Sequence, residues 1–219
     1  MKAFVDGPAA EGQHPTGPRQ PRSATVRVLP IHGRGPLSRR TAAGELLRCA
    51  AATARILAQN GTHLPRRLVG THLQFADGTS ARVFRETTVD RAPPADPCLL
   101  VVAFRLRLLR GRWHRLFLWE CILNTPLFVG FPGLISKLWL EHDQEERYRG
   151  FYQWDGAAAA EHYARSLWRV LDLVCPAGAV HYRVLPGLRR DDVLARPELV
   201  GAVPEGTAAP EWCRLVGAG

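Results

Sequence analysis

The 219-residue sequence predicts an α+β fold, and three observations carry that reading. Between residues 98 and 187, short apolar runs and amphipathic stretches follow one another in the order β-α-β-β-α-β. Residues 39–59 repeat apolar side chains at three- and four-residue steps, the mark of a further helix. Between that helix and the core, Asp77-Gly78 sits between two alternating runs, a strong hairpin signal.

Residues 1–40 hold seven basic and two acidic residues with six prolines and five glycines, so 1–37 read as a disordered basic tail. Residues 38–97 form a helix and β-hairpin extension. Its helix, Arg39 to Gln59, places Leu46, Leu47, Ala50, Ala51, Ala54 and Leu57 together, with Gly61 as the stop. Its hairpin joins Thr71–Phe75 to Ser80–Arg85 around Ala76-Asp77-Gly78-Thr79, and three prolines in 91–97 mark the boundary. Cys98–Phe104 then reads as a buried strand. Arg112–Leu123 reads as a helix ended by Asn124-Thr125-Pro126. Leu134–Leu140 and Tyr148–Trp154 are two strands joined by the charged turn His142–Glu146. Asp155 is expected to cap a helix with Ala160, Tyr163, Ala164, Leu167, Leu171 and Val174 on one stripe. Ala179–Leu185 is the fourth strand, and 188–219 is taken as a C-terminal tail. This order is the ferredoxin-like arrangement, one antiparallel sheet with both helices on one face.

That arrangement leaves one sheet face open. If Leu138 and Leu140 face the helices, the open face carries Ile135, Lys137 and Trp139, with Tyr152 or Trp154 from the next strand. Such a face is too apolar for water, and a second copy is the commonest cover, so a homodimer is expected.

Composition excludes several function classes. The net charge of +9 suggests nucleic acid, yet residues 1–40 supply +5 of it, and 27 of the 29 basic residues are arginine. Arg105, Arg107, Arg110, Arg112 and Arg115 cluster, but the RNP pattern of an RNA-binding sheet is missing beyond a partial Arg149-Gly150-Phe151-Tyr152. The five cysteines form no CxxC, and the eight histidines form no HExxH, so no metal is expected. Neither GxSxG, GxGxxG nor a Walker loop opens a helix, and no cofactor is expected. Leu116–Ile135 has a single charge, but two prolines and two glycines in its second half argue against a membrane span. Without a signal-peptide h-region, a reduced, cytoplasmic protein is the expectation.

Lys137 is the sharpest single candidate: the only lysine beyond residue 2, set between apolar neighbours on a strand. A buried amine there can act as a base or hold an anionic oxygen, or else snorkel to solvent. Glu120 and Asn124 share a helix face, which suits a general base with an orienting amide. Their structural reading is a helix cap plus an arginine pair. His162 and His181 are further proton carriers by type. Trp119, Trp139, Tyr152, Trp154 and Tyr182 are the rings expected to line a pocket for a flat ligand.

Pro132-Gly133-x-x-Ser136-Lys137-x-Trp139, within the stretch Asn124–Leu140, and Gly150-x-Tyr152-x-Trp154 together resemble the YdhR-like mono-oxygenases. These belong to the dimeric α/β-barrel superfamily, with the antibiotic-biosynthesis mono-oxygenases. The resemblance spans roughly 98–187. It implies a ferredoxin-like subunit, sheet-to-sheet pairing and a small-molecule enzyme, such as a cofactor-independent mono-oxygenase of secondary metabolism acting on an aromatic or polyketide-like substrate. Glu120 or His162 would then serve as base and Lys137 as oxyanion holder. The alternatives are a non-catalytic dimeric small-molecule-binding protein and an RNA-binding module.

Overall fold

A computed structural model describes residues 35–107, 125–200 and 209–219. The helix expected at 112–123 and the tail at 1–34 lie outside them. Helix α1 (Arg39–Ala58) starts where the Ser38 hydroxyl accepts the Thr41 amide. The described strands are β1 (Thr62–His63), β2 (His72–Phe75), β3 (Ser80–Val89), β4 (Pro97–Arg105), β5 (Leu134–Leu140), β6 (Arg147–Asp155), β7 (Val180–Pro186) and β8 (Leu215–Ala218). Two further helices are α2 (Ala157–Val174) and α3 (Arg190–Ala195).

All these strands join one antiparallel sheet in the order β7-β4-β6-β5-β3-β2-β8, with β1 beside β3. The first four make the expected ferredoxin-like order. Three expectations are corrected. The hairpin is no appendage, because β3 pairs with β5 and continues the sheet. The described parts of 188–219, residues 188–200 and 209–219, are no tail, because α3 and two short 3₁₀ turns lie on the sheet and β8 pairs with β2. Asp155 ends β6 instead of capping α2, whose N-cap is Gly156; its Oδ1 accepts the Asp96 amide.

A fourth correction concerns the faces. Lys137 stands opposite Tyr152, and Trp139 opposite Gly150, on the side of the sheet that α2 covers. Leu138, Leu140 and Phe151 take the other side. Period-2 alternation groups side chains correctly but does not say which group meets the helices when both are apolar. The apolar stripe of α2 decides it, with Tyr163 against Tyr152 and Trp154 at centroid distances of 5.5 and 5.1 Å.

On the helix side α1 lies beside α2, tied by the Leu37 amide to the Arg165 carbonyl and by the guanidinium of Arg165 to the Gly35 carbonyl. The 125–133 loop presses on α1 so closely that a Cβ on Gly130 would lie 2.1 Å from the Cys49 carbonyl oxygen. Only glycine fits there. Gly133, at φ +86°, is the second obligatory glycine: its carbonyl accepts the Asp155 amide, and a Cβ would meet the Asp155 oxygen at 2.6 Å. The Pro132-Gly133 pair therefore serves loop geometry.

Behind the sheet, Arg149 ties three segments together. Its guanidinium donates to Asp143 after β5, to Asp77 and Thr79 in the β2–β3 turn, and to the Trp212 carbonyl. Arg149 and Asp143 side chains are both fully buried. Burial alone would raise the Asp77 carboxyl, but hydrogen bonds from Thr79 and the charges of Arg149 and Arg147 outweigh it and hold the pKa below 3.8. A carboxyl more acidic folded than unfolded gives stability that is complete above the unfolded value and lost as pH falls through the folded one. Urea midpoints should fall below pH 4, and less steeply in Asp77→Asn than in the parent chain.

Candidate functional site

Between the sheet and α2 lies a cavity of 390 Å³. Its floor is Phe84 of β3, Phe104 of β4, Lys137 and Trp139 of β5, and Tyr148 and Tyr152 of β6. Tyr163, Leu167, Leu171 and Val174 of α2 are on one wall, and Arg107, Leu127, Phe128 and Arg149 are among the other lining residues. The volume and the apolar, aromatic lining suit a planar molecule of a few fused rings.

Lys137 is buried here, its Nζ 3.0 Å from the Trp139 ring centroid, 4.6 Å from Phe128 and 4.7 Å from Tyr152. Three ring faces attract a cation by their quadrupoles, on the order of 2 kcal/mol where water is excluded. Register builds this cage. Lys137 is the cross-strand partner of Tyr152, and Trp139 precedes the turn on the same face. Opposite Trp139 stands Gly150, where a Cβ would fall 2.7 Å from Tyr152 Cε2. The Tyr152 ring thus lies in the space a side chain at 150 would fill, which is the physical content of Gly150-x-Tyr152.

The rings are pinned in turn. Trp139 Nε1 donates to Thr87 Oγ1 at 3.2 Å, and Phe128 meets Trp139 edge-on at 5.2 Å. Tyr152 packs against Tyr163 at a centroid distance of 5.5 Å, and the pKa of Tyr163 is pushed well above 10 by burial first and by Tyr152 second. Tyr163 therefore stays a neutral hydroxyl. All charged residues of the described lining are cations: Arg107, Lys137 and Arg149. Arg149 is balanced by Asp143 and Asp77 behind the sheet. Arg107 is exposed at the rim and donates to the Cys175 carbonyl. The described lining thus carries positive charge and no carboxylate.

Of the residues expected from sequence, Lys137, Trp139 and Tyr152 meet in this cavity. Trp154 is fully buried one layer back, against Tyr163. Tyr182 packs edge-on against Trp168 and does not line the cavity. His162 is turned away toward α1, 43 % exposed, with Nε2 3.6 Å from Glu45. Glu120, Asn124 and Trp119 lie outside the described residues. Sequence reading did not single out Phe84, Phe104, Phe128, Tyr163 or Arg107 as lining. Only Tyr163 carried a usable signal, as the one ring on the α2 stripe.

Other chemistries find little here. Among the described residues no group of three or more His, Cys, Asp or Glu side chains could hold a metal ion. Cys49, Cys98, Cys175 and Cys213 are buried free thiols, and burial pushes the last three up to about 12. No described helix is long and apolar enough to cross a membrane.

No family model matches the chain, and no curated protein matches it. Two solved structures overlay parts of it. One, from Listeria monocytogenes, is described as an uncharacterized ferredoxin-fold protein related to antibiotic biosynthesis monooxygenases. It is 14% identical with a TM-score of 0.38, over 62% of this chain and 88% of that one. The other is an anthrone oxidase-like protein, 13% identical with a TM-score of 0.34, over 51% of this chain and 55% of that one.

Proposed function

We propose that the cavity binds a planar aromatic compound with an acidic oxygen, and that the chain oxidises it as a cofactor-independent mono-oxygenase. The observation that carries this reading is Lys137: a cation in a water-poor aromatic cage, within a 390 Å³ apolar cavity. A phenolate or enolate oxygen placed at Nζ gains a charge-assisted hydrogen bond where water cannot compete. The surrounding rings stack on the carbon skeleton.

In the reaction, a ring CH₂ conjugated with a carbonyl loses a proton to the base to form an enolate, and reaction with O₂ turns that CH₂ into C=O, with loss of two hydrogens and gain of one oxygen atom. The second oxygen atom leaves as water, so no external reductant is needed. Lys137 stabilises the carbanion by holding its oxygen. Glu120 is the proposed base, with Asn124 orienting the substrate oxygen. His162 has no part, because it faces solvent and Glu45 on the far side of α2.

Dithranol, a dihydroxyanthrone, tests this. Quenching of tryptophan fluorescence, saturable in dithranol, reports binding beside Trp139, and an oxygen electrode reports turnover above the uncatalysed rate. Both are expected. Quenching without oxygen uptake would leave a binding protein, and no quenching would remove the reading. Lys137→Met keeps length and bulk while removing the cation, and should weaken binding at least about tenfold, equivalent to about 1.4 kcal/mol. Unchanged affinity and turnover in that variant would sink the oxyanion role.

A further inference from the structure

We propose that this chain works as a monomer, because its own hairpin and residues 188–200 and 209–219 close the sheet face that a second copy would otherwise cover. This inference is independent of what the cavity binds.

Helices cover one face of a ferredoxin-like sheet and leave the other bare. Here the bare face would carry Leu99, Val101, Leu138, Leu140, Phe151 and Leu185, each at most 1 % exposed in the single chain. An apolar face of this size either finds a cover or associates. The cover is internal, and three separate observations establish it.

First, the sheet curls onto itself. Strands β2 and β6 are separated by β3 and β5 in the sheet order, yet the Phe75 and Phe151 rings lie 6.0 Å apart. The pairing of β3 with β5 slips between Val83 and Arg85, and a bulge of this kind bends a strand. Second, the C-terminal segment fills the trough this creates. Val193 of α3, Val200, Cys213 and Leu215 of β8 are buried in the same core as Phe151.

Third, polar ties fix that segment in register. Arg149 Nε donates to the Trp212 carbonyl at 2.9 Å, and Arg190 Nη2 donates to Glu86 of β3 at 2.9 Å. The Arg190 amide donates to Gln153 Oε1 of β6 at 2.6 Å. Arg149, Glu86 and Arg190 are all buried, so these bonds form away from competing water.

An RNA platform loses its surface by the same closure. Ring stacking on an open sheet needs that face free, and here it is the core.

Two measurements on the unmodified full chain test the proposal. Light scattering after size exclusion, across the micromolar range, should return the single-chain mass of 24.3 kDa. Twice that mass as a stable species overturns it. Hydrogen exchange should show the β2 and β8 amides protected, as a docked cover requires. Exchange of the β8 amides at the rate of free peptide overturns it equally, because the face would then be open.

Discussion

Replacing Asp143 with alanine is expected to cost about 3–5 kcal/mol of stability, the penalty for stranding a buried guanidinium. Asp143 and Arg149 are both fully buried, so neither charge can recover its hydration after the other is lost. Asp77 keeps one bond to Arg149 but is shared with Arg147. Asp143 has a second duty: its Oδ1 accepts the amides of Glu145 and Arg147, forming the turn between β5 and β6. With an m-value near ~2 kcal/mol/M, the urea midpoint should fall by about 2 M. The charge explanation has its own control. Arg149→Met combined with Asp143→Leu removes both ions and should cost less than Asp143→Ala alone, as apolar replacements of buried pairs often do. A double variant worse than the single one would mean that shape and the turn, not the stranded charge, dominate.

Gly150→Ala is expected to cost about 1–3 kcal/mol and to weaken ligand binding by at least about tenfold. The added methyl carbon would sit 2.7 Å from Tyr152 Cε2 and 3.1 Å from its hydroxyl oxygen. The ring has no easy retreat. It is buried, packed against the Tyr163 ring, and faces Lys137 Nζ. Movement away from the new methyl therefore opens one side of the lysine cage. Thermal unfolding and dithranol titration read the two effects separately. Gly150→Ala with Tyr152→Leu should regain most of the stability, since the colliding ring is gone, but not the affinity. Full recovery of affinity in that double variant would show that Tyr152 is not part of the binding surface.

Much of the core was legible because its strands are short apolar runs ended by turn residues. Leu134–Leu140 matches β5 to the residue, and the α2 stripe at Ala160, Tyr163, Ala164, Leu167 and Leu171 is the helix's inner side. What failed was non-local. Alternation in Leu134–Leu140 sorts side chains into two sets, but both sets are apolar, so the pattern alone does not say which set meets α2, and the condition that Leu138 and Leu140 do so is not met. The C-terminal segment read as a tail because its elements are single turns and a four-residue strand, too short to carry a period. They are held by partners far away in sequence, such as Glu86 for Arg190 and Leu73 for Ala218. Lys137 was legible by rarity alone. Two rings of its cage, Trp139 and Tyr152, were legible on the same face, but Phe128 was not, because it arrives from a loop.

The pairing of Leu73 with Ala218 also sets how the chain can reach its native state. Most of the described sequence lies between these two strands, so their union closes a very large loop and must come late on entropic grounds. Strand β8 follows every other described strand in the sequence, and until it docks, Leu73 and Phe75 have no outer strand beside them. Without this last pairing the β2 edge of the sheet stays open. Slow refolding limited by β8 docking, and a need for chaperones that shield exposed strands, follow from that connectivity.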